Sequence, residues 1–172
     1  CAAHQAWKRL GEEFRRVLAH WEGVFGQPRI QTPQAPLDRM TNIWLKANVI
    51  HLTQSLREGM RGYRDTMHDC IGVVSFDPAR ARHLLLMALS YQYADGHAPR
   101  QFSYYGAPHD LRVYNDSPLW IVLALARYLK ETGDFAFLDQ EVRFFESDEQ
   151  ASVFDHARRS VDWIDGRRGW HD

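Results

Sequence analysis

A chain of 172 residues, 45% of them hydrophobic, is long enough to bury a core and reads as globular. Its 21 basic and 22 acidic side chains leave a formal charge of -1 with no basic stripe, which argues against a nucleic-acid partner. Cys1 and Cys70 alone offer no disulfide framework and suit a reducing, cytoplasmic setting, and the longest run without a charged residue, His83 to Ala94, falls well short of the roughly 20 apolar residues that a membrane-spanning helix needs.

Helical spacing recurs almost throughout, with little of the alternation expected of strands, so the predicted fold class is all-α. A first amphipathic helix is predicted from about His4 to Phe25, with Trp7, Leu10, Phe14, Val17, Leu18 and Trp21 on one face. A proline-rich loop follows. The next helix runs from about Pro36 to Leu56, where Met40, Ile43, Trp44, Ala47, Ile50 and His51 recur at three- and four-residue steps until Gly59 and Gly62 break the pattern. A shorter helix from about Thr66 to Ser75 leads to Asp77-Pro78, a cap followed by proline, which opens a helix reaching Tyr93. The connection from Gly96 to Asn115 is long and holds Phe102, Tyr104, Tyr105 and Tyr114, an aromatic content that argues against disorder. Further helices are expected over Ser117 to Thr132, Phe135 to Val142 and Asp148 to Ile164, and Gly133 ends the first of them. Residues 1–35 read as a helix and loop preceding a domain that runs from 36 to 172. The chain opens on Cys1 rather than Met and stops at Asp172 without a tail, so it is expected to be a piece of something larger, and a missing signal peptide carries little weight.

Two junctions combine polar groups with helix starts. In Tyr114-Asn115-Asp116-Ser117-Pro118-Leu119-Trp120, Asp116 or Ser117 is suited to capping and Pro118 to the first turn, so Asn115 and Asp116 stand on a rigid platform that can present hydrogen-bonding groups to a sugar. In Gly62-Tyr63-Arg64-Asp65-Thr66-Met67-His68-Asp69, Arg64 supplies a planar fork of donors and Asp65 a pair of acceptors, which together match vicinal hydroxyls. An internal Arg64–Asp65 ion pair is the plainer alternative. Asp65 and Asp69 share a helical face, an arrangement that suits either acid-base work or capping and solvation. The nine histidines show no metal-ligand spacing, no nucleophile elbow or glycine-rich nucleotide loop is present, and Cys70 lies in an apolar context. Trp44, Trp120 and Trp163 fall on apolar stripes and read as core, whereas Tyr104 and Tyr105 lie in the long loop where a sugar can stack.

These motifs, together with Asp77-Pro78, Gln101 and the run from Lys130 to Asp139, resemble in order the glycoside phosphorylases of glycoside hydrolase family 94, from about Leu37 onward. The resemblance implies part of an (α/α)6 barrel with a preceding linker helix, and an inverting reaction. In that reaction inorganic phosphate, the co-substrate, attacks a β-glycosidic bond to give an α-sugar 1-phosphate, with no metal or other cofactor. It implies that Arg64 and Asp65 hold the non-reducing sugar, that Arg61 or Arg57 adds a further arginine, and that Gln101 lies near the acceptor sugar with Arg100 where histidine is usual. The implied partners are a disaccharide or oligosaccharide and the remainder of the catalytic domain, with homodimerisation left open. The family's Gly-Asp-Trp-Asn/Cys-Asp motif is absent, and Gly169-Trp170-His171-Asp172 is only superficially like it, so Asp172 is a weak candidate for general acid. The acid and the phosphate site are expected after residue 172, which would leave the chain inactive alone. An (α/α)6 hydrolase using water and a non-catalytic helical binding module are the competing readings.

Overall fold

The computed structural model describes residues 2–26, 28–54, 60–103 and 109–167, and the chain divides into two compact units, residues 1–48 and 49–172. Among the described residues no helix is long and apolar enough to cross a membrane.

The first unit contains α1 (Ala2–Gly26), α2 (Ala35–Arg39), a π-helical turn (Met40–Leu45) and the start of α3 (Lys46–Gln54). The apolar stripe of α1 is present as expected, but Trp7, Leu10, Phe14, Val17 and Leu18 are exposed. At the other end of α1, Trp21 stacks on Phe25. There the buried ammonium of Lys46 donates to the carbonyls of Val24, Phe25 and Pro28, so a cation satisfies acceptors that a helix C-terminus leaves open. Burial, aided by the neighbouring Arg29 charge, pulls the Lys46 pKa below its ordinary value. The Asn42 side chain holds the connecting loop by accepting from Ile30 N at 2.9 Å and donating to Ile30 O at 2.8 Å.

Among its described residues the second unit holds the rest of α3 and the helices α4 (Tyr63–Val73), α5 (Pro78–Leu89), α6 (Ser117–Thr132) and α7 (Val153–Asp165). α4 packs on α5 and α6, and α6 on α7. Each turns an i, i+3, i+4 stripe inward: Tyr63, Met67 and Cys70; Ala81, Leu84, Leu85 and Ala88; Ile121, Ala124 and Tyr128; Val153, His156, Ser160 and Trp163. The expected caps hold at two ends. Asp77 accepts from Arg80 N at 3.0 Å, and Gly133 takes the left-handed conformation, φ 69°, that closes α6.

Among the described residues, five short strands interrupt the helical pattern. β1 (Met60–Gly62), β2 (Pro99–Ser103) and β3 (Asp110–Val113) form an antiparallel sheet in that order, with Gly62 opposite Gln101 and Gln101 opposite Asp110. The Gly96 to Asn115 connection is therefore partly a ribbon rather than a loop. β4 (Glu141–Arg143) and β5 (Gln150–Ser152) form a hairpin. This shortens the helix expected over Phe135 to Val142 to a 3-10 turn, Phe135–Asp139, and delays the one expected from Asp148 until Ser152, whose hydroxyl accepts from Asp155 N. Strands of three to five residues are too short to show a period of two, and β1 in addition finds its partner β2 far away in sequence. The fourth helix likewise begins at Tyr63 rather than Thr66, because Tyr63 is drawn into the core, where its hydroxyl donates to Ala88 O.

One polar network ties α7 to the turn before β2. The buried Gln92 amide donates to Gly96 O, His156 O and Ser160 Oγ, and its oxygen meets His156 Nδ1 at 2.6 Å. Desolvation holds His156 below its usual pKa. Gly96 lies within this network at φ 99°, and a methyl group there would overlap the backbone carbonyl of Arg159. Gly96→Ala combines a disfavoured backbone region with that overlap and is expected to cost at least about 2 kcal/mol, read as a fall in the urea midpoint with unchanged slope.

Candidate functional site

The site forms where β1 hands the chain to α4. Because Tyr63, Thr66 and Met67 turn inward, Arg64, Asp65 and His68 turn outward from the same helix start. Gly62 has φ -66° and ψ 132°, a conformation open to any residue, so its lack of a side chain serves another purpose. A methyl group at Gly62 would overlap the Asp65 carboxylate, which folds back over it. The glycine leaves room for the acid.

Arg61, one residue earlier, is 5% exposed. Its Nε donates to Thr66 Oγ1 at 3.0 Å, Nη1 to Thr53 O and Nη2 to Asp69, and Thr66 Oγ1 in turn donates to Gly62 O. Although Arg61 borders a recess, these contacts commit it to bracing α3, β1 and α4 against one another. Asp69 completes the brace. Burial pushes its pKa above the ordinary value despite the opposing Arg61 charge, and neighbouring Asp65 adds to the rise.

Asp116 stands at the start of α6, yet its side chain makes no cap hydrogen bond to the helix, contrary to one of the two cap assignments the sequence offers. The carboxylate turns away instead. Its Oδ2 accepts from Arg64 Nη1 at 3.0 Å and from Trp120 Nε1 at 3.2 Å. Partial desolvation opposes the charge, but the hydrogen bonds from Trp120 and Arg64 outweigh it and hold the carboxyl below its usual value. Arg64 thus pairs with Asp116 rather than Asp65, and both partners remain about half exposed at 50% and 46%. Asn115 is exposed beside them.

β2 supplies the opposite wall. Gln101, paired in register with Gly62, faces the Asp65 side, and Arg100 donates to Asp110 at 2.8 Å while its guanidinium lies 5.2 Å from the Tyr114 ring centre. Hydrogen bonds from Arg112 and Arg100 hold the Asp110 carboxyl far below its usual range, although some desolvation opposes them. Two adjoining recesses result. The first, of 290 Å³, is lined by residues that include Leu52, Met60, Arg61, His68 and Asp69. The second, of 210 Å³, is lined by residues that include Arg64, Arg100, Tyr114 and Asp116. Gly62, Asp65 and Gln101 line both, and together the two reach the size range of small-ligand clefts, about 300–1,000 Å³.

Of the residues singled out from the sequence, Arg61, Arg64, Asp65, Arg100, Gln101 and Asp116 therefore meet around one cleft, while Arg57, Tyr104, Tyr105 and Asp172 lie outside the described residues. Trp120 was read as core, but it is only half-buried and engages Asp116; Trp163 is buried and Trp44 is 61% exposed. An indole four residues after Asp116 was the available signal for that contact. Among the described residues no group of three His, Cys, Asp or Glu side chains is arranged to hold a metal ion.

The sequence profile of the Glycosyl hydrolase 94 superfamily, catalytic domain, matches residues 20–172. The chain is 35% identical over 164 residues to a solabiose phosphorylase from Paenibacillus borealis, covering 95% of this chain and 21% of the relative. It is 28% identical over 158 residues to a 3-O-beta-D-glucopyranosyl-beta-D-glucuronide phosphorylase from the same organism, covering 88% and 20%. It is 24% identical over 196 residues to an N,N'-diacetylchitobiose phosphorylase from Vibrio furnissii, covering 94% and 24%. The chain thus spans a fifth to a quarter of the length of these curated relatives. Its fold is all-α in class, part of an (α/α)6 barrel, and the five short strands are connections between helices.

The two arginine pairs should differ sharply in energetic weight. Asp69→Ala leaves the Arg61 charge buried without its counter-ion and is expected to cost about 2–3 kcal/mol, below the value for a fully enclosed pair because Asp69 keeps some solvent contact. Arg64→Met, at an exposed pair, should cost under about 1 kcal/mol. Urea unfolding of both variants checks the order.

Proposed function

The chain belongs to the glycosyl hydrolase 94 superfamily, and on that footing we propose that its second unit provides the sugar-gripping wall of an inverting glycoside phosphorylase. The observation that carries this reading is the convergence of Arg64, Asp65 and Asp116 beside Gln101 around one open cleft. A pyranose presents hydroxyls that both donate and accept. Asp65 forms no ion pair among the described residues and offers acceptor oxygens, Arg64 keeps donor hydrogens beyond the one spent on Asp116, and Gln101 offers one group of each kind to the neighbouring, reducing-end ring. Holding the ring at several hydroxyls fixes the anomeric carbon in position, which converts binding energy into reduced entropy of activation.

In the reaction proposed for the whole protein, a phosphate oxygen attacks the anomeric carbon from the face opposite the departing sugar. The glycosidic bond breaks, a carboxylic acid protonates the leaving oxygen, and an α-sugar 1-phosphate with inverted configuration and a free acceptor sugar result. Such an acid needs a pKa raised toward working pH. Asp116 is shifted the other way, and Asp69, although burial raises it, is held by Arg61, so both suit holding and bracing rather than proton donation. Proton transfer and phosphate capture are therefore assigned to residues other than these. The substrate class is a β-linked disaccharide, its reducing-end ring toward Gln101 and Arg100.

Ligand-observed NMR of the chain with solabiose, cellobiose and N,N'-diacetylchitobiose tests the grip. At least one disaccharide should bind, and Asp65→Ala or Arg64→Ala should weaken it by roughly tenfold or more, the order of one lost hydrogen bond to a charged group. No saccharide signal from the wild-type chain would refute the reading. Gly62→Ala should displace the Asp65 carboxylate and weaken the same sugar while costing less than about 1 kcal/mol in stability, since its backbone angles suit alanine. Within the complete enzyme, sugar consumption that proceeds without phosphate would favour hydrolysis instead.

A further inference from the structure

We propose that Trp120 is a positioning residue of this site, its indole N–H fixing the Asp116 carboxylate at Arg64 so that a ligand hydroxyl meets a preset acceptor. The proposal rests on the sugar-binding reading above.

Three observations carry it. First, Asp116 has the sequence position of a helix cap but no side-chain cap bond, so something other than α6's own amides holds its side chain. The donors that reach it are Trp120 Nε1 and Arg64 Nη1, and both arrive at Oδ2. Two side-chain donors thus fix that oxygen, and with it the direction in which the half-exposed carboxylate faces the cleft. Second, the indole is itself held from two helices. It stands one turn after Asp116 on α6, and the His68 ring of α4 meets it edge to face, with centroids 4.2 Å apart and planes at 81°. A half-buried ring fixed in this way loses less freedom in making its hydrogen bond than a long exposed chain would. Third, Arg64 is half exposed and flexible in character, and ion pairs of that kind are weak positioning devices. The rigid donor is the tryptophan.

Trp120→Phe removes the donor and keeps a ring against His68, which makes it the variant of choice. NMR titration of the Asp116 side-chain carboxyl should show its midpoint rising in the variant toward the ordinary value of about 3.9. The affinity for whichever of solabiose, cellobiose or N,N'-diacetylchitobiose binds the wild-type chain should fall by roughly tenfold. A purely structural tryptophan would lower the melting temperature and leave the Asp116 midpoint and the affinity where they were, and that result overturns the proposal. A measurement on the unaltered tryptophan guards against a variant that fails to fold. The Trp120 indole N–H resonance should move with the Asp116 titration and cease to do so in Asp116→Asn, and an indole signal indifferent to Asp116 also overturns it. If the wild-type chain binds none of the three sugars, the functional reading fails, and the hold of Trp120 on Asp116 is then decided by the two titrations alone.

Discussion

The Arg61 guanidinium governs the geometry of everything around the cleft. It is a permanent charge placed inside the second unit, where an unpaired ion costs several kcal/mol, so its neighbours are obliged to answer it. Thr53 does so from α3, Thr66 and Asp69 from α4, and the backbone carrying the arginine belongs to β1. Three elements are therefore locked at one point. Gly62, Arg64 and Asp65 follow directly in sequence and inherit that fixed backbone, which is the support a binding constellation needs if its groups are to arrive already oriented.

Helix ends contribute the second constraint. Asp65 lies in the first turn of α4, and Asp116 stands at the N-terminal end of α6. Both positions sit near the positive pole of a helix, where an acidic side chain is well placed. Because α4 packs against α6, the two ends approach closely enough for Arg64 to bridge them. The cleft is thereby supplied with two acceptors at helix ends, and the hydrogen bonds of Trp120 and Arg64 orient that of Asp116.

Much of this was legible in the residue order. Helical periodicity located α4 to α7 because their buried stripes run for three or four turns, and Asp77 and Gly133 act as the caps their chemistry suggests. Arg64 and Asp116 were each marked by a polar junction next to a helix start, whereas the ion pair between them appears only in the structure. The role of Arg61 was not legible, since nothing local distinguishes an arginine that points inward from one that reaches a ligand; the difference is made by Thr53 and Asp69, eight positions away on either side. Trp120 was obscured for a related reason, because an apolar stripe accounts for its ring and says nothing about its N–H. The sheet β1-β2-β3 escaped because its strands are only three to five residues long and β1 pairs with β2 across about 40 residues, beyond the reach of any periodicity.

The π-helical turn at Met40–Leu45 has an effect on how relatives should be compared. A turn closed by a wider hydrogen-bonded ring accommodates one more residue than an α turn, and each residue of an α-helix advances the side chains by roughly 100°. A helical wheel drawn straight through this segment is therefore out of phase beyond it. Of the face projected from Met40 to His51, Ile50 is buried while Met40, Ile43, Trp44 and His51 are exposed. A homologue lacking one residue here would regain a continuous α spiral, and aligning the two chains without a gap inside the turn would equate positions that point in different directions.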